Sequence, residues 1–307
     1  MYIFHPRKQT KFLLPRAKRK QLKTHQKWIY KICHPDPDEF RGKDITLHSA
    51  LRMEIIIKTP QQIANIRQSG KYLTELLHKL KNAVKPWLKL IELECIAEDY
   101  IQKNHIKGAF KGYNWFPTNL CLSINECVVH GIPDGYTLQK GDLLKIDCGI
   151  TYQWWVTDAA ISIVVGGESA NPLAYKLTST TKDALDIAIQ KVGPGKKMYD
   201  YSHAVHEHMI QNWFAIIQKL TGHGVWVHVH EKPYIHNHPF HPETKTVTFQ
   251  PGMVLAFEPI TALKSKDFVL KKWNERNLYC KENDLGAHWE YTVLITEDGY
   301  EILAGIV

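Results

Sequence analysis

A chain of 307 residues can bury a full core, and 44% hydrophobic with 23% charged residues excludes a disordered or fibrous protein. There is no run of about 18 apolar residues and no apolar leader core, so neither a membrane span nor a secreted product is expected. Six scattered cysteines with no Cys-x-x-Cys pair argue against a disulfide framework and for free thiols in a reducing cytoplasm.

The net charge of +8 belongs to one end of the chain. Residues 1–35 hold ten Lys/Arg and no Asp or Glu, which leaves 29 basic against 31 acidic residues in the remainder. Such a block suits phosphate backbones, on RNA or on a ribosome. A solvated arm and a targeting peptide are the other readings, although a transit peptide is usually Ser-rich and the first serine here is Ser49. Pro35-Asp36-Pro37-Asp38 breaks the chain, so 1–52 reads as a basic extension with its linker and 53–307 as the globular domain.

Glu54 to Lys58 reads as a short strand. Thr59-Pro60 offers an N-cap and a proline at the first helical position, and the apolar spacing of Ile63, Ile66, Leu73, Leu76, Leu77 and Leu80 predicts a helix over 60–83. A second helix is expected over 90–104, then an aromatic, Gly-rich loop at 108–117 and a strand at 120–125. Two apolar runs follow, 143–150 and 155–165, each with one aspartate set in it. A hairpin turning at Tyr152-Gln153 would put Asp147 and Asp158 directly opposite, with Cβ atoms about 4.5–5.5 Å apart. Bare carboxylates there would repel, so either a metal holds them, or one Asp is paired within its strand and the other sits at a strand end. Helices are expected at 171–191 and 199–219, and strands at 253–257 and 291–296. Helices then hairpin, followed by helices then strands, suggests an α+β fold of two similar halves.

Three further groups stand in apolar or glycine settings: His223 in Gly-His-Gly, Glu258 at the end of an apolar run, and Glu290 at the head of another. With the two aspartates they make an oxygen-rich set with one imidazole, suited to two divalent ions of Mn, Fe, Co or Zn.

The ordered motifs resemble a type I methionine aminopeptidase: Ser-Ile-Asn-Glu-Cys-Val-Val-His-Gly-Ile-Pro at 123–133, Asp-Cys-Gly-Ile at 147–150, Asp158, Gly-His-Gly at 222–224, Phe-Glu-Pro at 257–259 and Trp-Glu-Tyr-Thr at 289–292. The resemblance implies a pita-bread fold and removal of the N-terminal methionine from nascent polypeptides, with a small second residue preferred. It implies Asp147, Asp158, His223, Glu258 and Glu290 as ligands of two metal ions and Glu258 as proton acceptor. His130 and His230 would hold the substrate, and Phe110, Tyr113, Phe116, Cys121 and Trp273 would line the methionine pocket. A cytoplasmic monomer is the expectation. Two rivals remain: a proline-specific peptidase of the same fold, and a non-enzymatic relative that binds ribosomes or RNA.

Departures from that family surround the ligands without removing any. Ala159-Ala160 stand where Thr and Ser are usual, Val225-Trp226 and Val229 are atypical near His223, and Tyr291 stands for His. The histidines at 228, 236, 238 and 241 are unusual in their loop; solvent exposure is the expectation, with a third metal site the other reading.

Overall fold

Thr59 caps the first helix as its sequence predicts. Its Oγ1 accepts from the Gln62 N–H, and Gln62 Oε1 accepts in return from the Thr59 N–H at 2.7 Å. Helix α1, Pro60–Ala83, buries Ile66, Leu73, Leu76, Leu77 and Leu80 on one face. The computed structural model describes residues 55–271 and 274–307. The basic segment 1–35, the linker 36–52, Glu54 and Trp273 therefore lie outside the described residues. Of the expected strand over 54–58, the described residues 55–58 are instead irregular chain, with one backbone bond from the Lys58 N–H to the Gly252 carbonyl at 2.9 Å.

Helix α2 is Leu90–Lys103, followed by β1 (Lys107–Gly108), β2 (Leu120–Ile124) and β3 (Cys127–Val129). The aspartate hairpin is β4 (Leu143–Tyr152) and β5 (Trp155–Val164). Its turn sits one residue later than expected, at Gln153-Trp154, with φ of 46° and 78° as a type I′ turn requires. Asp147 consequently faces Ala160, and Asp158 faces Gly149. The two carboxylates share one face of the hairpin as diagonal rather than direct neighbours. Ile146, Cys148 and Ile150 point to the other face and join the α1–α2 leucines in one core.

The second half repeats the plan. Asn171 Oδ1 accepts from the Ala174 N–H to start α3 (Pro172–Ile189), and α4 is Met198–Gln211. The expected helix to residue 219 stops early because Trp213 takes φ of 65° and the Phe214 N–H turns back to Met209 O at 3.0 Å. The apolar run beyond has no polar face to leave in water, so it enters the interior as β6 (Ala215–Ile216). The sequence then runs through β7 (Thr221–Gly224), β8 (Glu231–His236), the short α5 (Glu243–Thr246), β9 (Val254–Phe257) and β10 (Ile260–Ala262). It closes with β11 (Phe268–Lys271), β12 (Asn274–Cys280), β13 (Gly286–His288), β14 (Tyr291–Ile295) and β15 (Tyr300–Ala304).

All the described strand pairings are antiparallel, in sheets ordered β1-β4-β2 with β5 on β4, β13-β10-β6, β11-β12-β3 and β15-β14-β9-β7-β8. A second core forms where α3 and α4 cover Leu255, Phe257, Tyr291 and Val293. Trp289 packs against both cores and donates its indole N–H to Thr178 Oγ1 at 2.8 Å. The expected α+β arrangement of two similar halves is thus present.

The halves are stitched together beside the aspartates. Thr292 Oγ1 donates to Asp158 O at 2.6 Å and accepts from the Asp158 N–H at 2.9 Å. Ser162 and His288 exchange the same pair of bonds at 2.7 and 2.9 Å, and the Glu290 N–H donates to Ala160 O at 3.0 Å. These side-chain ties hold β5 against β13 and β14 where no strand ladder joins them. No helix among the described residues is long and apolar enough to cross a membrane.

Candidate metal centre

Each candidate ligand is delivered by a strand or a strand end. β4 carries Asp147, β5 Asp158, β7 His223, the end of β9 Glu258 and the start of β14 Glu290. All five are at least nine-tenths buried. The Gly-His-Gly motif is explained by crowding. A Cβ on Gly222 would collide with the Ala256 carbonyl oxygen, and one on Gly224 with that of Lys232.

Ligand atoms of Asp158, His223 and Glu290 lie within 4.8 Å of one another, and so do those of Glu258, His288 and Glu290. Glu290 belongs to both groups. His223 donates from Nδ1 to the Gly224 carbonyl at 3.1 Å, which turns Nε2 inward to within 3.2 Å of Glu258 Oε1. His288 Nε2 stands 3.2 Å from the other Glu258 oxygen and 3.9 Å from Glu290 Oε2. His288 went unremarked in the sequence, although it sits two residues ahead of Glu290 at the head of the same apolar run.

The electrostatics of the cluster are those of a site built for cations. Asp147 Oδ1, Asp158 Oδ1 and Glu290 Oε1 are buried with no hydrogen-bond partner. A buried charge left unpaired costs several kcal/mol. Burial and the charges of Asp158 and Glu258 accordingly drive the Asp147 carboxyl well above its usual range. Burial, with Asp158, Glu258 and Asp147, does the same to Glu290, and burial foremost lifts Asp158 to about 7. Burial would raise Glu258 too, but the imidazoles of His223 and His288, each 3.2 Å from one of its oxygens, pull it down to about 2. A divalent ion removes the conflict by supplying the missing positive charge, and the orphaned oxygens are its natural donors. The residues fit the group.

The two histidines expected to hold substrate flank this cluster. The His230 ring centre lies 4.4 Å from that of His223 and 5.7 Å from that of Tyr113. Burial, with the nearby His223, keeps His230 well below the ordinary histidine range, and burial keeps His130 down at about 4. Both are neutral imidazoles at pH 7, each able to donate one N–H.

Four of the five expected pocket residues meet in one small apolar cluster: Phe110 and Cys121 pack with Val156 and Val229, and Tyr113 and Phe116 lie against them. The fifth, Trp273, is outside the described residues. Val156 and Val229 were not foreseen as part of this wall; Val229 had been noted only as atypical. Cys121 pairs directly with Asp147 across β2 and β4, so the apolar cluster and the carboxylates share a strand. Of the atypical residues, Tyr291 faces away and donates to Asp186 Oδ1 at 2.9 Å and Ile306 O at 3.1 Å, while Ala159 and Ala160 are wholly buried in β5.

Residues 64–297 match the sequence profile of metallopeptidase family M24. The chain is 34% identical to methionine aminopeptidase 1 of Bacillus subtilis (strain 168) over 252 residues, which is 82% of this chain and 100% of that protein. The fold is similar to the crystal structure of a methionine aminopeptidase from Thermotoga maritima, with TM-score 0.78, 32% identity and coverage of 82% of this chain and 100% of that one. A prolidase from Pyrococcus furiosus shares the pita-bread fold at TM-score 0.64 and 20% identity, covering 85% of this chain and 68% of that one.

Proposed function

The chain belongs to metallopeptidase family M24, and from that membership we propose that it is a type I methionine aminopeptidase acting on the N-termini of nascent polypeptides. One observation supports this reading most: buried Asp, Glu and His side chains with orphaned oxygens converge beside an apolar, aromatic cluster of the chemistry that suits an unbranched thioether. The likeness to methionine aminopeptidases extends over their whole length, whereas the prolidase likeness is one of fold. All five candidate ligand residues are present in the chain, which argues against a purely binding relative.

In this reading Asp147, Asp158, His223, Glu258 and Glu290 hold two divalent ions drawn from Mn, Fe, Co and Zn. When bound, such ions acidify water and polarise a carbonyl. Glu258, ionised at neutral pH, accepts the proton of the attacking water. His130 and His230 are uncharged and offer N–H groups to the substrate carbonyl and the leaving amide, as an oxyanion site does. Phe110, Tyr113, Phe116, Cys121 and Trp273 receive the methionine side chain. A small second residue is preferred, as the likeness to methionine aminopeptidases implies.

The segment 1–35 supplies a cationic arm for ribosomal or other RNA, and the enzyme works as a cytoplasmic monomer. The globular domain begins near Met53.

The test is release of free methionine from Met-Gly-Met-Met and Met-Leu-Met-Met by metal-stripped protein re-supplied with Mn, Co, Fe or Zn. Metal-dependent cleavage of the first peptide only, abolished in Asp158→Asn, is expected. No turnover with any metal by folded protein would favour the binding relative, and cleavage of an Xaa-Pro dipeptide in its place would favour the prolidase reading.

A further inference from the structure

A separate group of ligand-type side chains lies where β8 ends. His236, the last residue of β8, is only 5% exposed, and neither of its ring nitrogens has a hydrogen-bond partner. The His241 ring stacks on it with centres 3.8 Å apart and planes at 20°. Glu243 Oε2 stands 3.5 Å from His236 Nε2 without closing a hydrogen bond. One ligand atom from each of the three lies within 4.8 Å of the other two. The expectation that these histidines are solvated is therefore corrected at His236 and His238, both buried.

Two buried, unpartnered nitrogens on one imidazole are costly, at about 1–3 kcal/mol for each unmet group. The imidazole stacked on it supplies no hydrogen bond to either nitrogen. A metal ion bound at one ring nitrogen supplies a missing partner.

We propose that His236, His241 and Glu243 form a mononuclear site for a first-row divalent transition ion, distinct from the centre around Asp158. Two imidazoles and one carboxylate are a usual donor set for zinc and its neighbours, with the remaining positions left to water. Glu243 is already oriented, because Lys232 Nζ stands 3.7 Å from its Oε1 and leaves Oε2 for the ion. Besides its stack on His236, the His241 ring makes one hydrogen bond, its Nδ1 accepting from the Glu243 N–H at 3.3 Å, so it can turn by giving up that weak bond and the stack. The backbone beneath is fixed: Ser202 Oγ donates to His236 O at 2.6 Å, and the Asn237 amide donates to Glu258 O at 2.9 Å. His238 is not a member. Its Nε2 bonds the Gln218 carbonyl at 3.2 Å and its Nδ1 accepts from the Phe240 N–H at 3.3 Å.

The full-length protein is dialysed to equilibrium against micromolar zinc, and bound metal is counted in wild type, His241→Gln, Glu243→Gln and His238→Gln. Cleavage of Met-Gly-Met-Met serves as the control for folding, since none of the three substitutions touches the main centre. His241→Gln and Glu243→Gln are each expected to bind one equivalent less than wild type, and His238→Gln the full number. A cobalt titration followed by visible absorption should likewise lose one component in the first two variants. Equal metal content in all four proteins would overturn the site, and so would loss in His241→Gln with none in Glu243→Gln.

Discussion

Gly149 and Asp158 face each other across the β4–β5 ladder, and it is the missing side chain at Gly149 that lets Phe110 lie against the same strand. A Cβ at Gly149 would come within 2.9 Å of Phe110 Cε1 and of Ala109 Cβ. One glycine thus stands between a candidate metal-site carboxylate and the apolar cluster around Phe110. Gly149→Ala forces Phe110 outward, and overpacking of this kind costs about 1–3 kcal/mol. The expected result is a lower melting temperature and a fall in kcat/KM on the order of tenfold or more, carried mainly by KM for the methionyl peptide. An unchanged KM in steady-state kinetics would remove Phe110 from the pocket.

Removing metal should invert the usual dependence of stability on pH. Asp158 titrates at about 7 in the fold, and Asp147 and Glu290 are raised further, all chiefly by burial. A carboxyl whose folded pKa exceeds its unfolded value binds protons more tightly when native. Its contribution is full below the unfolded value and is lost as pH rises through the folded one. Burial opposes charge on His223, but Glu258 and Asp158 raise its pKa overall, so it acts in the same direction above 6.5. Metal-stripped protein should therefore lose stability from about pH 4 upward, through pH 7 and beyond, by about 1.4 kcal/mol per pH unit for each carboxyl still protonated in the fold. Re-supplying Mn or Co should abolish that slope. Thermal melts across the window decide it: a flat profile for stripped protein would mean the carboxylates are neutralised from within the chain.

The basic arm makes its own prediction. Ten Lys/Arg without a compensating acid in residues 1–35 should bind phosphate backbones in a strongly salt-dependent way. Deleting residues 1–52 should weaken binding to ribosomes or ribosomal RNA and flatten the dependence on salt, while cleavage of short peptides continues. Sedimentation with ribosomes at two salt concentrations, beside a peptide assay, separates the outcomes. Loss of both activities would end the docking-arm reading.

Much of the architecture was legible because it rests on local rules. The Thr59-Pro60 start signal and the apolar spacing of α1 gave that helix its limits, and Asn171 marked the start of α3. The hairpin was legible but not its register: the turn moved by one residue because Gln153 and Trp154 both accept positive φ, which no composition rule singles out. The second halves of paired strands were missed where runs are short or broken by bulges, as in β11, β12 and β15. At the site, all five carboxylate and imidazole positions stood out by charge set in apolar sequence. His288 did not, because a histidine at a strand end has an ordinary explanation until the fold brings it to Glu258.

His288 should therefore matter to rate rather than to substrate affinity. It is 2% exposed, and its Nε2 is 3.2 Å from Glu258 Oε2, so each oxygen of Glu258 faces one imidazole, His223 on one side and His288 on the other. His288→Ala strands one carboxylate oxygen and lets Glu258 turn away from the position in which, by the proposed function, it would accept a proton. Removing a group that orients a metal-site carboxylate typically costs about 10–100-fold in activity or metal affinity. The expected pattern is a fall of that order in kcat with KM nearly unchanged, since His288 is not part of the pocket cluster. His288→Gln keeps an N–H donor at similar reach and should recover most of the loss. A variant whose KM rises while kcat holds would instead place His288 among the groups that touch substrate.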